Sequence, residues 1–237
     1  MNQFWEETLS EGYYDVITVK GIKRNRGLNA TWHNFTNLKV KHLINNKGKH
    51  LDYACGPGTL IGQYLNLESI GLDISKKQIK YASEKYKDKG IFLEIDKFNF
   101  NKNKKQFNTI TVLGLLEFMN NSDIRSLLDK LFYLLADDGE IILTTPNFKF
   151  GMKSLIRIQN FIGEYSYKET HINKFNKSSL SKLLENTNFS SFQIDKYMNV
   201  GVFLGYFNLR LATKVQSILD YYFGKFFGFM LIIKLKK

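Results

Sequence analysis

One cysteine in 237 residues excludes a disulfide framework and suits a reducing compartment. No uninterrupted apolar run is long enough to span a bilayer. The start, Met-Asn-Gln-Phe-Trp-Glu-Glu, has no basic segment followed by an apolar stretch, so no secretory signal is expected and the expected location is the cytoplasm. No His/Cys/Asp group has metal-ligand spacing, so no metal is expected. There are only two prolines, no Gly/Ser-rich linker and no internal repeat, so residues 1–237 read as a single domain. Acids are few: 22 Asp and Glu stand against 34 Lys and Arg, a formal charge of +12. The excess lysines are scattered among asparagines and isoleucines, and no basic run interleaves with aromatics. The charge therefore reads as a solvated face, and nucleic acid is not expected as a partner. What the chain does have is 43% hydrophobic residues, ample for one core.

The most informative run is His50-Leu-Asp-Tyr-Ala-Cys-Gly-Pro-Gly-Thr59, followed by Gly71-Leu-Asp-Ile-Ser75. An apolar strand carries an acid, turns through Gly56 and Gly58 and enters a helical pattern; a second strand ends in Asp73. Glycine lets the backbone turn tightly and approach a ligand. Asp52 can accept from a cationic amine, and Asp73 from both hydroxyls of a ribose. A nicotinamide-binding fingerprint would need a third glycine where Ile61 stands, and it gives an acid at Asp52 no role.

The ordered set resembles the class I S-adenosylmethionine-dependent methyltransferases, in the small-molecule branch called type 11 or 12. It comprises Asp52, Gly56-Pro57-Gly58, Asp73, Asp96, the run Phe107 to Glu117 and the run Leu134 to Asn147. The resemblance covers Lys49 to Asn147 well and the rest loosely. It implies an α/β, Rossmann-like, doubly wound sheet of seven mainly parallel strands, the last antiparallel. Within the single domain, residues 1–47 read as an N-terminal helical cap, 48–147 as the cofactor-binding core and 148–237 as the substrate-side lid and C-terminal strands. The helical C-terminal insertion is a reading of the residues themselves.

The pattern of the residues agrees with alternating strands and helices. Trp32, Phe35, Leu38 and Leu43 predict a helix before a strand at Lys49 to Ala54. Ser75 and Gln78 have capping-box spacing ahead of Ile79, Ala82 and Tyr86. Strands are expected at Ile91 to Ile95 and Phe107 to Leu113. Ile124, Leu127, Leu128, Leu131 and Leu135 mark an amphipathic helix, and the turn Asp137-Asp138-Gly139 leads to a strand at Glu140 to Thr145. A helix is expected at Ser178 to Asn186, and the two further strands that the resemblance implies have Phe189 to Tyr197 and Phe229 to Leu235 as candidates.

The resemblance also implies roles. Asp52 holds the methionyl amine of S-adenosylmethionine, with the Leu113 carbonyl as second acceptor. The Gly56 and Gly58 backbone lies beside the methionyl portion. Asp73 takes the ribose, Ile74 packs an adenine face, and Asp96 with the Lys97 backbone takes the adenine amino group. Ala54 stands at the first glycine of the usual Gly-x-Gly-x-Gly, which alanine tolerates at negative φ. Arg26 is the candidate partner for the methionyl carboxylate. Cys55 reads as a packing residue.

Where many relatives have Glu-His, this chain has Glu117-Phe118, which removes one candidate base and leaves His171 and His33. His171 precedes a helix on the side where substrate enters, and residues 148–175 are expected to form part of a lid; Tyr13 and Tyr14 are candidates to close over the cofactor. Residues 200–229 are too rich in apolar side chains for a surface loop and read as an amphipathic insertion. It is open as a lid, a homodimer interface or a peripheral membrane contact. The expected activity is methyl transfer to a small-molecule, glycan or lipid-linked acceptor at oxygen, giving S-adenosylhomocysteine as product. An RNA methyltransferase and a non-catalytic cofactor-binding or assembly module are the alternatives.

Overall fold

The computed structural model describes residue 6 and residues 8–45, 47–149, 152, 171–224 and 226–237. Two helices, α1 (Tyr13–Arg24) and α2 (Leu28–Leu43), precede an alternation of strands and helices. It runs β1 (Lys49–Tyr53), β2 (Ser69–Asp73), α3 (Lys76–Lys85), β3 (Ile91–Glu94), β4 (Phe107–Leu113), α4 (Asn121–Leu134) and β5 (Leu135–Pro146). α5 (Lys177–Leu184), β6 (Ser191–Tyr197), a 3-10 turn (Val200–Tyr206), α6 (Leu209–Phe223) and β7 (Met230–Lys236) complete it.

The seven strands form one sheet in the order β3-β2-β1-β4-β5-β7-β6. Among the described residues, β7 alone runs antiparallel to the other strands of the sheet. The expected doubly wound topology is therefore present, and its order reverses between β1 and β4, where a ligand crevice opens beyond the strand carboxyl ends.

The central strands form because they are buried on both faces: Leu51, Leu72, Ile110, Val112, Ile141 and Leu143 are inaccessible. One face is covered by α4 and α5 through Leu127, Leu128, Leu131, Leu180 and Leu184. On the other, Phe35 and Val40 of α2 meet Tyr197, Val202 and Met230. Asn120 caps α4 by accepting from the Asp123 amide at 2.9 Å, and Asn176 with Ser179 forms a capping box on α5.

Two local expectations are corrected. Ser75 makes no side-chain cap on α3; the Gln78 side chain instead accepts from the Gly12 amide and donates to the Ser10 carbonyl, both at 3.0 Å. Asp137-Asp138-Gly139 is no free turn but part of β5, looped out between the pairs Phe107 with Leu135 and Thr109 with Glu140. α1 was not foreseen. It is clasped to α3 by buried Asp15, which accepts from Tyr86 at 2.7 Å and Tyr81 at 2.8 Å and pairs with Lys85. Most of the lid expected over residues 148–175 lies outside the described residues.

Candidate active site

A cavity of about 1150 Å³ opens at the carboxyl ends of β1, β2 and β4, roofed by α1, α2 and the 3-10 turn. Asp52, Ala54, Gly56, Asp73, Ile74, Leu113, Arg26 and His171 all line it. Gly58, Asp96 and Lys97 do not. Gly58 is a packing glycine: at φ +74°, a Cβ there would lie 2.6 Å from the Phe92 ring. Asp96 and Lys97 sit exposed in a short turn after β3.

The floor is set by strand register. Asp52 stands opposite Thr111 on β4, and the Thr111 hydroxyl donates to Asp52 Oδ1 at 2.6 Å. Two residues earlier, His50 stands opposite Ser69 on β2. Its Nδ1 is 3.1 Å from Ser69 Oγ and its Nε2 is 2.9 Å from Thr111 Oγ1. Ser69 in turn lies 2.9 Å from the Leu67 carbonyl.

Burial raises the Asp52 pKa to about 7, with the Thr111 hydrogen bond opposing and the Asp73 charge adding. Burial lowers that of His50 to about 3, so the ring is neutral. Each hydroxyl of this chain has one proton, which permits two registers. With Asp52 ionised, Thr111 donates to Asp52, His50 Nε2–H donates to Thr111, and Ser69 donates to Nδ1. With Asp52 protonated on Oδ1, its O–H donates to Thr111, Thr111 donates to Nε2, Nδ1–H donates to Ser69, and Ser69 donates to the Leu67 carbonyl.

The turn after β1 is held by Asp73. Its Oδ2 accepts from the Gly56 amide at 2.7 Å and its Oδ1 from the Ser75 amide at 2.8 Å. Burial still pushes the Asp73 pKa up against these backbone donors. Ala54 corrects an expectation: its φ is +62°, not negative, in the left-handed region that a Cβ disfavours.

Across the cavity, Glu117 is buried in the turn after β4, and sequence reasoning did not select it as a functional residue. Its Oε2 accepts from Thr145 at 3.0 Å, and burial raises its pKa to about 7. Its carbonyl accepts from the Ile172 amide at 2.8 Å and the Asn173 amide at 3.0 Å, which anchors the segment bearing His171. The His171 ring stacks on Phe118 with centroids 5.2 Å apart and 20° between planes. His33 also lines the cavity, packed by its ring edge with Tyr14, and burial lowers its pKa to about 4.

These residues fit a ligand with an amine, a ribose and a carboxylate. Asp52 is a buried carboxyl facing a cavity with no cationic side chain paired to it among the described residues. The space beside Gly56 is open, with nothing within 4 Å of where its Cβ would be. A carboxylate offers about four acceptor sites, so Asp73 retains acceptor capacity beyond the backbone amides that hold it. Lys20, Arg24 and Arg26 line the cavity and form no ion pair among the described residues.

Residues 25–193 match a family described as a methyltransferase domain. No curated protein sequence matches the chain. Among solved structures, a SAM-dependent methyltransferase from Archaeoglobus fulgidus is 16% identical with a TM-score of 0.57, over 86% of this chain and 94% of that one. Magnesium protoporphyrin IX methyltransferase from Synechocystis with bound SAH is 15% identical with a TM-score of 0.59, over 98% of this chain and 100% of that one. A possible histamine N-methyltransferase from Thermotoga maritima is 12% identical with a TM-score of 0.60, over 86% and 88%.

Proposed function

The chain belongs to the methyltransferase domain family, whose cofactor is S-adenosylmethionine, and we propose that it methylates an oxygen of a small-molecule, glycan or lipid-linked acceptor. When bound, the cofactor supplies an activated methyl group. The chain's part is then to hold it, to position the acceptor and to take a proton.

Asp52 accepts from the methionyl ammonium, Asp73 from the ribose hydroxyls, and Ile74 offers an apolar face to the base. Arg26, on the cavity lining, neutralises the carboxylate. Asp96 and the Lys97 backbone remain the proposed adenine contacts, although they lie off the cavity lining.

The observation that carries the reading is that Glu117 and His171 line the same cavity, the Glu117 carbonyl holding the segment that bears His171. A carboxyl with pKa about 7 is half ionised at neutral pH, matched to taking the proton of an acceptor hydroxyl as its oxygen bonds to the methyl carbon. His171, shelved on Phe118 and anchored through Ile172 and Asn173, supplies from another segment the ring that the sequence lacks at position 118.

The test is methyl incorporation from labelled cofactor into quinols, glycans and lipid-linked sugars, with RNA as competitor. A hydroxyl acceptor should be methylated, and Glu117→Gln should reduce kcat while leaving cofactor affinity intact. Methylation of RNA alone, or turnover unaffected by Glu117→Gln, contradicts the reading.

A further inference from the structure

The Val200–Tyr206 turn and α6 leave an apolar surface uncovered. Leu209, Ala212 and Gln216 face inward and are buried. Leu211, Val215, Ile218 and Tyr222, spaced four, three and four residues apart, form a second apolar stripe on the helix, and three of them are exposed. Tyr221 on the helix is 81% exposed, and Phe207 and Phe226, which flank its two ends, are 77% and 74% exposed.

This surface is firmly seated. The Gly27 amide donates to the Gly205 carbonyl at 2.7 Å, and Asn25 receives the Leu209 and Arg210 amides at 2.8 and 2.9 Å. Gly205 rests against α2 so closely that a Cβ would lie 2.0 Å from Thr31 Oγ1.

We propose that this face docks on an anionic lipid bilayer and receives a lipid-linked acceptor from it, an inference that rests on the methyl-transfer reading above. Charge complementarity selects the occupant. Arg210 and Lys214 stand one turn apart beside the stripe. The only acid in residues 200–226, Asp220, is half-buried and accepts from Asn199 at 2.9 Å and Gln216 at 2.6 Å.

Tyrosine and phenylalanine beside Lys and Arg is the composition of a helix lying in a headgroup layer. A second copy is the poorer occupant, because each chain carries +12 and this face offers no acid to meet its partner's cations.

Position links the face to the site. Phe203, Tyr206 and Phe207 belong to the surface and also line the cavity, whose lining includes, besides Arg26, the cations Lys20 and Arg24 that the cofactor does not use. An acceptor with an apolar tail and an anionic linkage meets both chemistries at one entrance. Among the described residues no helix is long and apolar enough to cross a membrane, so the contact is peripheral.

The experiment is flotation of the full chain with phosphatidylcholine vesicles, with and without phosphatidylglycerol, at low and high salt. Binding should require phosphatidylglycerol and weaken with salt. The double variant Ile218→Asp, Tyr222→Asp should lower partitioning by about tenfold or more, as should Arg210→Glu with Lys214→Glu.

Both pairs of sites are exposed, and unchanged S-adenosylhomocysteine affinity reports an intact fold and cofactor site. No flotation with anionic vesicles, or flotation indifferent to both variants, overturns the proposal. So does sedimentation velocity showing a dimer that Ile218→Asp, Tyr222→Asp dissociates. Loss of S-adenosylhomocysteine binding by the wild type would instead count against the methyltransferase reading, so the two failures are separable.

Discussion

Cofactor binding should release a proton from Asp52 below neutral pH. In the free protein its carboxyl titrates near 7, because burial opposes its charge. A bound ammonium beside it favours the ionised form, so the bound-state pKa falls well below the free one. With a free pKa of about 7, roughly 0.9 proton should leave at pH 6 and about 0.1 at pH 8.

Affinity should then be about tenfold lower at pH 6 than on the alkaline plateau, or about 1.4 kcal/mol. Working between pH 5.5 and 7.5 keeps the ligand's own amine, near 7.7–8 in model compounds, predominantly protonated. Calorimetric titration with S-adenosylhomocysteine in buffers of different ionisation enthalpy counts the protons directly. Asp52→Asn should abolish the release and flatten the profile. Thr111→Val removes the hydroxyl that favours the ionised form and should move the transition upward. Equal affinity at pH 6 and pH 7.5, or no buffer dependence at pH 6, would refute the reasoning.

Ala54→Gly relieves the left-handed backbone at φ +62° and should stabilise the fold by about 1 kcal/mol, read as a higher Tm, even after the extra chain entropy of glycine is counted. For Glu117 the folded pKa is raised, from 4.5 to about 7, so its stability penalty is absent below 4.5 and grows as pH rises through 7, reaching about 3 kcal/mol. Glu117→Gln should therefore raise Tm at pH 8 and not at pH 4 while slowing turnover; equal shifts at both pH values would contradict the assignment. Ligand binding at pH 6 should switch the His50 tautomer from Nδ1–H to Nε2–H, visible in nitrogen-15 shifts of the ring, whereas a purely structural His50 would keep one tautomer.

The sheet was legible because parallel strands buried on both faces read as short apolar runs, and Asp73 and the Gly56 turn punctuate two of them. α1 was not, because its buried side is Tyr13, Asp15, Thr18 and Gly21, which carries no apolar periodicity. What holds it is the pairing of Asp15 with Tyr81, Lys85 and Tyr86, some seventy residues away in sequence. The capping box proposed at Ser75 failed for a similar reason, since α1's approach claims Gln78.

In the site, Asp52 and Asp73 announced themselves by position at strand ends. Glu117 did not. Its chemistry comes from burial and from Thr145, and the motif drew attention only to the missing histidine beside it. The His50–Thr111–Asp52 chain needs the register of three strands, which spacing along one strand cannot supply.

The most direct test of the account is calorimetric titration of the purified protein with S-adenosylmethionine and S-adenosylhomocysteine, alongside Asp73→Ala. The account predicts one site per chain for both ligands, weakened in the variant by about 1–3 kcal/mol as the ribose acceptor and the anchor of the Gly56 amide are lost together. Failure of the wild type to bind either ligand, or an Asp73→Ala protein that binds as tightly as wild type, would contradict it.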